Sequence, residues 1–153
     1  MNPNHLVYEA IEKGVITELP KYSELKMEVK YGTNSRIDVL LTDTKGIKHY
    51  IEVKNTTLLD EKSGRALFPD AVSERGKKHL EELEKMVADG HKAYMFYLVN
   101  RSDATGAGIA KDIDPEYYKA CAKAIKNGVQ ILAYQTHITP DEIVIKKALP
   151  FEL

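Results

Sequence analysis

The chain has 153 residues, 43% of them hydrophobic, and its 22 basic and 23 acidic side chains leave a net charge of −1. That is about one domain's length and enough to bury a core without staples. The near-zero charge excludes a general basic coat, so any polyanion must be held by a local patch, helped by metal ions.

Read in chain order, residues 4–13 predict a short helix. Asn4 caps it, Leu6, Val7, Ala10 and Ile11 form the apolar stripe, and Gly14 ends it. Strand-like runs follow at 25–31, 35–42 and 48–54. Gly32-Thr33-Asn34 makes the first turn and Asp43-Thr44-Lys45-Gly46 the second, which predicts an antiparallel meander. A helix is expected over 71–89, with Asp70 as its N-cap and Val72, Leu80, Leu83, Met86 and Val87 on its apolar face. The continuous apolar run 93–99 reads as a strand buried on both faces. Asp114-Pro115 opens a helix that ends at Asn127-Gly128. Residues 129–134 and 142–146 read as further strands. Two stretches, 55–69 and 100–113, carry no pattern and read as long loops. The whole predicts an α/β fold with a mixed sheet, antiparallel early and parallel at the crossovers, in one domain over residues 1–153.

Asp38, Glu52 and Lys54 interrupt otherwise apolar strands, which costs free energy unless they are paired or bind an ion. Side chains alternate along a strand, so Glu52 and Lys54 share a face about 7 Å apart. Pairing through the Asp43–Gly46 turn brings Asp38 onto that face. Two carboxylates suit a hard cation such as Mg²⁺ or Mn²⁺, which keeps waters for a phosphate substrate, and the Val53 carbonyl is a further candidate ligand. The same grouping also suits a plain cross-strand ion pair on a solvated face. The spacing is the Asp-x(13)-Glu-x-Lys form of the PD-(D/E)xK pattern.

Longer blocks are more specific. They are Asn2-Pro3-Asn4-His5-Leu6-Val7, Glu28-Val29-Lys30-Tyr31-Gly32, Ser35-Arg36-Ile37-Asp38, Glu52-Val53-Lys54-Asn55-Thr56-Thr57-Leu58 and Phe68-Pro69-Asp70-Ala71-Val72-Ser73-Glu74-Arg75-Gly76-Lys77-Lys78-His79-Leu80. With them the chain resembles the sugar fermentation stimulation protein (SfsA) family. The resemblance implies a restriction-endonuclease-like core, with Asp38 and Glu52 as metal ligands and Lys54 as the catalytic lysine. It covers the family's second, nuclease-like part. The family's first part, an OB-like domain expected to hold nucleic acid, is not matched, so DNA binding is expected to be weak.

Glu9 on the first helix is a further candidate ligand, or else an exposed helix charge. Arg75, Lys78 and His79 on the second helix are candidate DNA contacts, since Arg75 and His79 lie four apart on one face. Gly76 within that helix costs about 1 kcal/mol against Ala and implies a close approach. Lys62 and Arg65 read as loop charges that either meet a nucleic-acid backbone or are simply solvated. His5, His49, His91 and His137 lack ligand spacing, and Cys121 reads as a core thiol.

One cysteine excludes an internal disulfide and fits a reducing compartment. The opening residues lack the pattern of a secretory signal, and no apolar run reaches the ~20 residues of a membrane helix. The expectation is a cytoplasmic, metal-dependent phosphodiesterase acting on DNA. The alternatives are a non-catalytic DNA-binding regulator of sugar metabolism genes and a partner-binding module on a nuclease scaffold.

Overall fold

The computed structural model describes residues 2–153. Helix α1 (Pro3–Glu12) is followed by β1 (Tyr22–Tyr31), β2 (Ser35–Asp43) and β3 (Lys48–Thr56), then by the short strands β4 (Leu58–Asp60) and β5 (Arg65–Phe68). After them come α2 (Glu74–Ala88), β6 (Lys92–Val99), β7 (Gly106–Ile109), α3 (Pro115–Lys126), β8 (Gln130–Ile138), β9 (Ile143–Ala148) and β10 (Phe151–Glu152).

The main sheet has six strands in the order β1-β2-β3-β6-β8-β9. Its first three strands are the expected antiparallel meander, and β3-β6 and β6-β8 pair in parallel through the crossovers that contain α2 and α3. The central strand β6 is buried from Ala93 to Val99, as its unbroken apolar run predicts. One core, including Val7, Ile11, Val39, Leu41 and Phe96, lies between α1 and the sheet. The other, including Leu80, Leu83, Met95, Tyr97 and Tyr117, lies under α2 and α3. Among the described residues no helix is long and apolar enough to cross a membrane.

The two stretches read as loops are largely structured. They contain β4, β5 and β7, which join β10 in a second, four-stranded sheet of order β10-β7-β5-β4. These strands have only two to four residues each, too short for a period-2 signal to stand out. Arg65 is used there: its Nη1 donates to the Glu152 carbonyl at 2.7 Å.

Three helix starts test the capping logic. Pro3 occupies the first turn of α1, and the cap is Asn2 rather than Asn4, with the Asn2 side chain accepting from the Asn4 and His5 amides. Helix α2 begins later than expected. Ser73 rather than Asp70 is its cap, accepting from the Gly76 amide, and Val72 precedes the helix with 68% of its surface exposed. Gly76 does mark a close approach, although to α3: a Cβ there would lie 3.0 Å from the Tyr117 ring. Asp114 caps α3 as predicted, with Oδ1 accepting from Tyr117 N at 3.0 Å and Oδ2 from Ser73 N at 2.8 Å. One carboxylate therefore ties the starts of two helices.

Asp114→Ala should cost about 1–3 kcal/mol, since a cap and a second amide partner are lost together. Asp114→Asn, which keeps one acceptor oxygen, should fall between that variant and wild type. Urea unfolding of the three proteins checks the order.

Candidate active site

The hairpin of β1 and β2 changes sides partway along. Leu25, Met27, Val39 and Leu41 pack toward α1, whereas Val29, Tyr31 and Ile37 pack in the core under α2. A regular strand cannot send residues of one parity to both faces. The reversal falls at Glu28 and Asp38. Glu28 has φ +57°, a left-handed conformation that a non-glycine residue seldom adopts. The β2-β3 ladder ends at the pair Val39 and Ile51. Beyond it, Asp38 uses its side chain in place of backbone: Oδ2 accepts from Val53 N at 2.7 Å, and Oδ1 accepts from Asn4 Nδ2 at 3.1 Å. The sequence reading made Asn4 a cap; the structure makes it the α1 contact to Asp38.

Glu52 is 3% exposed, and two basic side chains meet at it. Its Oε1 lies 2.8 Å from His79 Nδ1 and 3.5 Å from Lys54 Nζ. Lys54 Nζ is in turn 2.8 Å from the same His79 Nδ1. Protonated, that nitrogen donates to Glu52; unprotonated, it accepts from Lys54. Lys54 Nζ also lies 5.9 Å from the centre of the Phe68 ring. Burial pushes the Asp38 carboxyl up to about 6, the nearby Glu52 charge adds to this, and the Val53 and Asn4 hydrogen bonds oppose it. Burial and the charges of Glu52, Glu82 and Asp38 likewise raise the Tyr31 hydroxyl above its ordinary value.

Asp38 and Glu52 open onto a cleft of about 790 Å³. Its lining also includes Asn4, Glu28 and the tip of the β1–β2 hairpin, with Arg75, Lys78 and His79 from α2. The structure thus groups Asp38, Glu52, Lys54 and His79, with Arg75 and Lys78 at the mouth. His79 differs from the expected DNA contact in being buried and engaged by Glu52 and Lys54. Glu9 does not join the group: it is half exposed and pairs with Lys13 at 3.2 Å.

Glu82, which sequence reasoning passed over, and Gly32, read there as a turn residue, hold the cleft together. Glu82 on α2 is buried, and its Oε1 accepts from Ser35 Oγ at 2.7 Å. Gly32, at φ +61°, leaves the space that Glu82 fills, since a Cβ there would lie 2.2 Å from Glu82 Oε2. The available signal was spacing: Glu82 falls three residues after His79, on the inward face of α2.

Among the described residues, no group of three or more His, Cys, Asp and Glu side chains is arranged to hold a metal. Asp38 and Glu52 still fit Mg²⁺, which is held by one or two carboxylates with water and substrate phosphate completing its shell. Glu52 Oε2 supports that fit, being a buried carboxylate oxygen without a hydrogen-bond partner. The remaining histidines and the cysteine lie outside this grouping. His49 bridges Asp43 and Tyr94 at 2.9 and 2.8 Å, and Cys121 is buried, its thiol pushed up to about 11 by burial.

A mixed sheet flanked by helices, with Asp38 on β2 and Glu52 and Lys54 on the adjacent β3, is a restriction-endonuclease-like fold. A family model described as "Sugar fermentation stimulation protein RE domain" matches residues 1–142, and the chain belongs to that family. It is 49% identical over 148 residues to a sugar fermentation stimulation protein homolog of Marinomonas sp. (strain MWYL1), a match covering 97% of this chain and 57% of the relative. It is also 49% identical over 154 residues to the homolog of Aliivibrio fischeri (strain MJ11), covering all of this chain and 65% of the relative. The chain therefore spans less than two thirds of these curated relatives. Pyrococcus furiosus SfsA, solved in complex with Ca²⁺, superposes with a TM-score of 0.84 at 28% identity over 96% of this chain and 62% of that one.

The Asp38 shift carries a pH dependence. A folded-state value of about 6 against an ordinary 3.8 means that the folded chain binds the extra proton between them. The stability due to this group is then greatest in acid and falls as pH rises toward 6. Relative to wild type, Asp38→Asn should be more stable at neutral pH than near pH 4, as urea unfolding at the two pH values would show.

Proposed function

We propose that the chain is the catalytic part of a metal-dependent nuclease that hydrolyses DNA phosphodiesters. The observation that carries this reading is the unpartnered, buried Oε2 of Glu52 at a cleft that it shares with Asp38. A buried carboxylate oxygen without a donor costs free energy that a bound cation would offset. Asp38 and Glu52 would hold Mg²⁺ or Mn²⁺, which polarises the phosphodiester and makes a bound water more acidic.

The chain's own residues supply the rest. Asn4 and the Val53 amide fix the direction of the Asp38 carboxylate. Lys54 lies beside Glu52, where its ammonium offsets the negative charge that builds on the phosphate. His79 keeps the Lys54 side chain from swinging away. Arg75 and Lys78, exposed at the cleft mouth, hold neighbouring phosphates. The fold of the family and the Ca²⁺ complex of the P. furiosus protein support the choice of a divalent cation.

Cation binding should stabilise the wild-type chain by about 1.4 kcal/mol at ten times its dissociation constant. Glu52→Gln should lose most of that gain, and calorimetric titration with Mg²⁺ or Mn²⁺ reads it directly. Lys54→Ala should bind the cation almost as wild type does yet cleave DNA about 10²–10³-fold more slowly, the usual cost of losing one charge-stabilising donor. An unchanged Lys54→Ala rate would remove the lysine from the mechanism. A wild type that binds DNA and cuts none in Mg²⁺ or Mn²⁺ would favour the regulator.

A further inference from the structure

Sequence patterning placed candidate phosphate contacts on α2 and on the loop that carries Lys62 and Arg65, yet the cleft has cations on the β1–β2 hairpin as well as on α2. Lys30 on β1 and Arg36 on β2 are Cα partners across the hairpin, and both line the cleft that Arg75 and Lys78 line from α2. All four side chains belong to exposed residues. None of the four forms a salt bridge among the described residues, although Lys13, Lys26, Arg101 and Lys119 do. In a chain of net charge −1, four cations without an ion-pair partner line one cleft against the carboxylates of Glu28, Asp38 and Glu52, leaving a local excess of positive charge. A single small anion needs only one such cation group. Cations supplied from the hairpin on one side and α2 on the other, with a carboxylate pair in the same cleft, suit a chain of repeating phosphates.

We infer that Lys30 and Arg36 form a second phosphate-binding wall, so that a DNA strand is held between the β1–β2 hairpin and α2. This rests on the nuclease reading for the identity of the strand. The hairpin tip is fixed for the task. The side change at Glu28 and Asp38 sets its course, and the Ser35–Glu82 hydrogen bond fastens it to α2. Lys30 and Arg36 thereby become positioning residues that add affinity without touching the reacting atoms.

The test is fluorescence anisotropy of labelled single-stranded and duplex DNA in EDTA, with affinity followed across a salt series. Each phosphate contact adds about 0.9 to the log–log salt slope on duplex and about 0.7 on a single strand. Lys30→Ala/Arg36→Ala should weaken binding and flatten the slope by about 1.8 on duplex, or about 1.4 on single strand. The control Lys146→Ala/Lys147→Ala removes two exposed cations from β9, at the opposite edge of the main sheet, and should leave the slope unchanged. Thermal unfolding of each variant confirms that it is folded.

An unchanged slope for the hairpin variant overturns the inference, as does equal flattening by the β9 control or failure of wild type to bind either DNA. Cleavage is scored separately in Mg²⁺. Wild type that binds with the expected slopes but cuts nothing keeps the second wall and removes the nuclease assignment. An unchanged slope with cleavage intact removes the wall alone.

Discussion

The cleft depends on the hydrogen bond from the Val53 amide to Asp38. Strands β2 and β3 stop pairing through backbone one residue before it, and a side-chain carboxylate takes over. This lets the β1–β2 hairpin leave the plane of the sheet while the amide of a central strand keeps a partner. The same residue is where the hairpin exchanges one core for the other. Asp38 is thus both the joint of the hairpin and a wall of the cleft. Its opposite number, Glu28, carries the backbone cost of the joint in its left-handed conformation. Unusual backbone of this kind persists where the surroundings over-determine it. Here two strands, two cores and a carboxylate–amide bond do so.

The second constraint is the burial of charge. Glu52, Lys54 and His79 lie where water scarcely reaches, and a buried ion is tolerated only with a partner of good geometry. Lys54 and His79 both address the same oxygen of Glu52, leaving the other without a donor. Folding for stability alone would favour apolar residues at these positions. The arrangement is better suited to leaving one carboxylate oxygen without a donor while its partner oxygen is held fast. Asp38, with its proton affinity raised by burial and by Glu52, belongs to the same electrostatic unit.

Much of this was legible in the sequence because the relevant signals were local. The Asp43–Gly46 turn set the register of β2 on β3, and strand alternation placed Glu52 and Lys54 together. The apolar run of β6 and the Asp114-Pro115 start of α3 were equally direct. What escaped lies in contacts between distant residues. Asn4 looked like a cap because asparagine before an apolar stripe usually is one, whereas Pro3 had already moved the cap to Asn2. The second sheet was missed because parallel pairing of β5 with β7 joins segments far apart in the chain, each too short to show a period. His79 appeared solvent-facing from its helical spacing with Arg75, since nothing local shows that the buried Glu52 and Lys54 come beneath it. Glu82 was invisible for the same reason, its partner being Ser35 on another element.

The contact between Gly32 and Glu82 also bears on how such a chain can diverge. No side chain fits at position 32 while Glu82 keeps its present place, and the positive φ there disfavours one independently. Shortening residue 82 first would strand Ser35 and loosen the hairpin tip. Either single replacement therefore weakens the hairpin tip, and a paired replacement still leaves a side chain at position 32 in an unfavourable positive-φ conformation. The two positions, fifty residues apart, are coupled through this one contact. Drift at the cleft rim is then channelled toward the exposed Thr33 and Asn34, leaving the tether behind them in place.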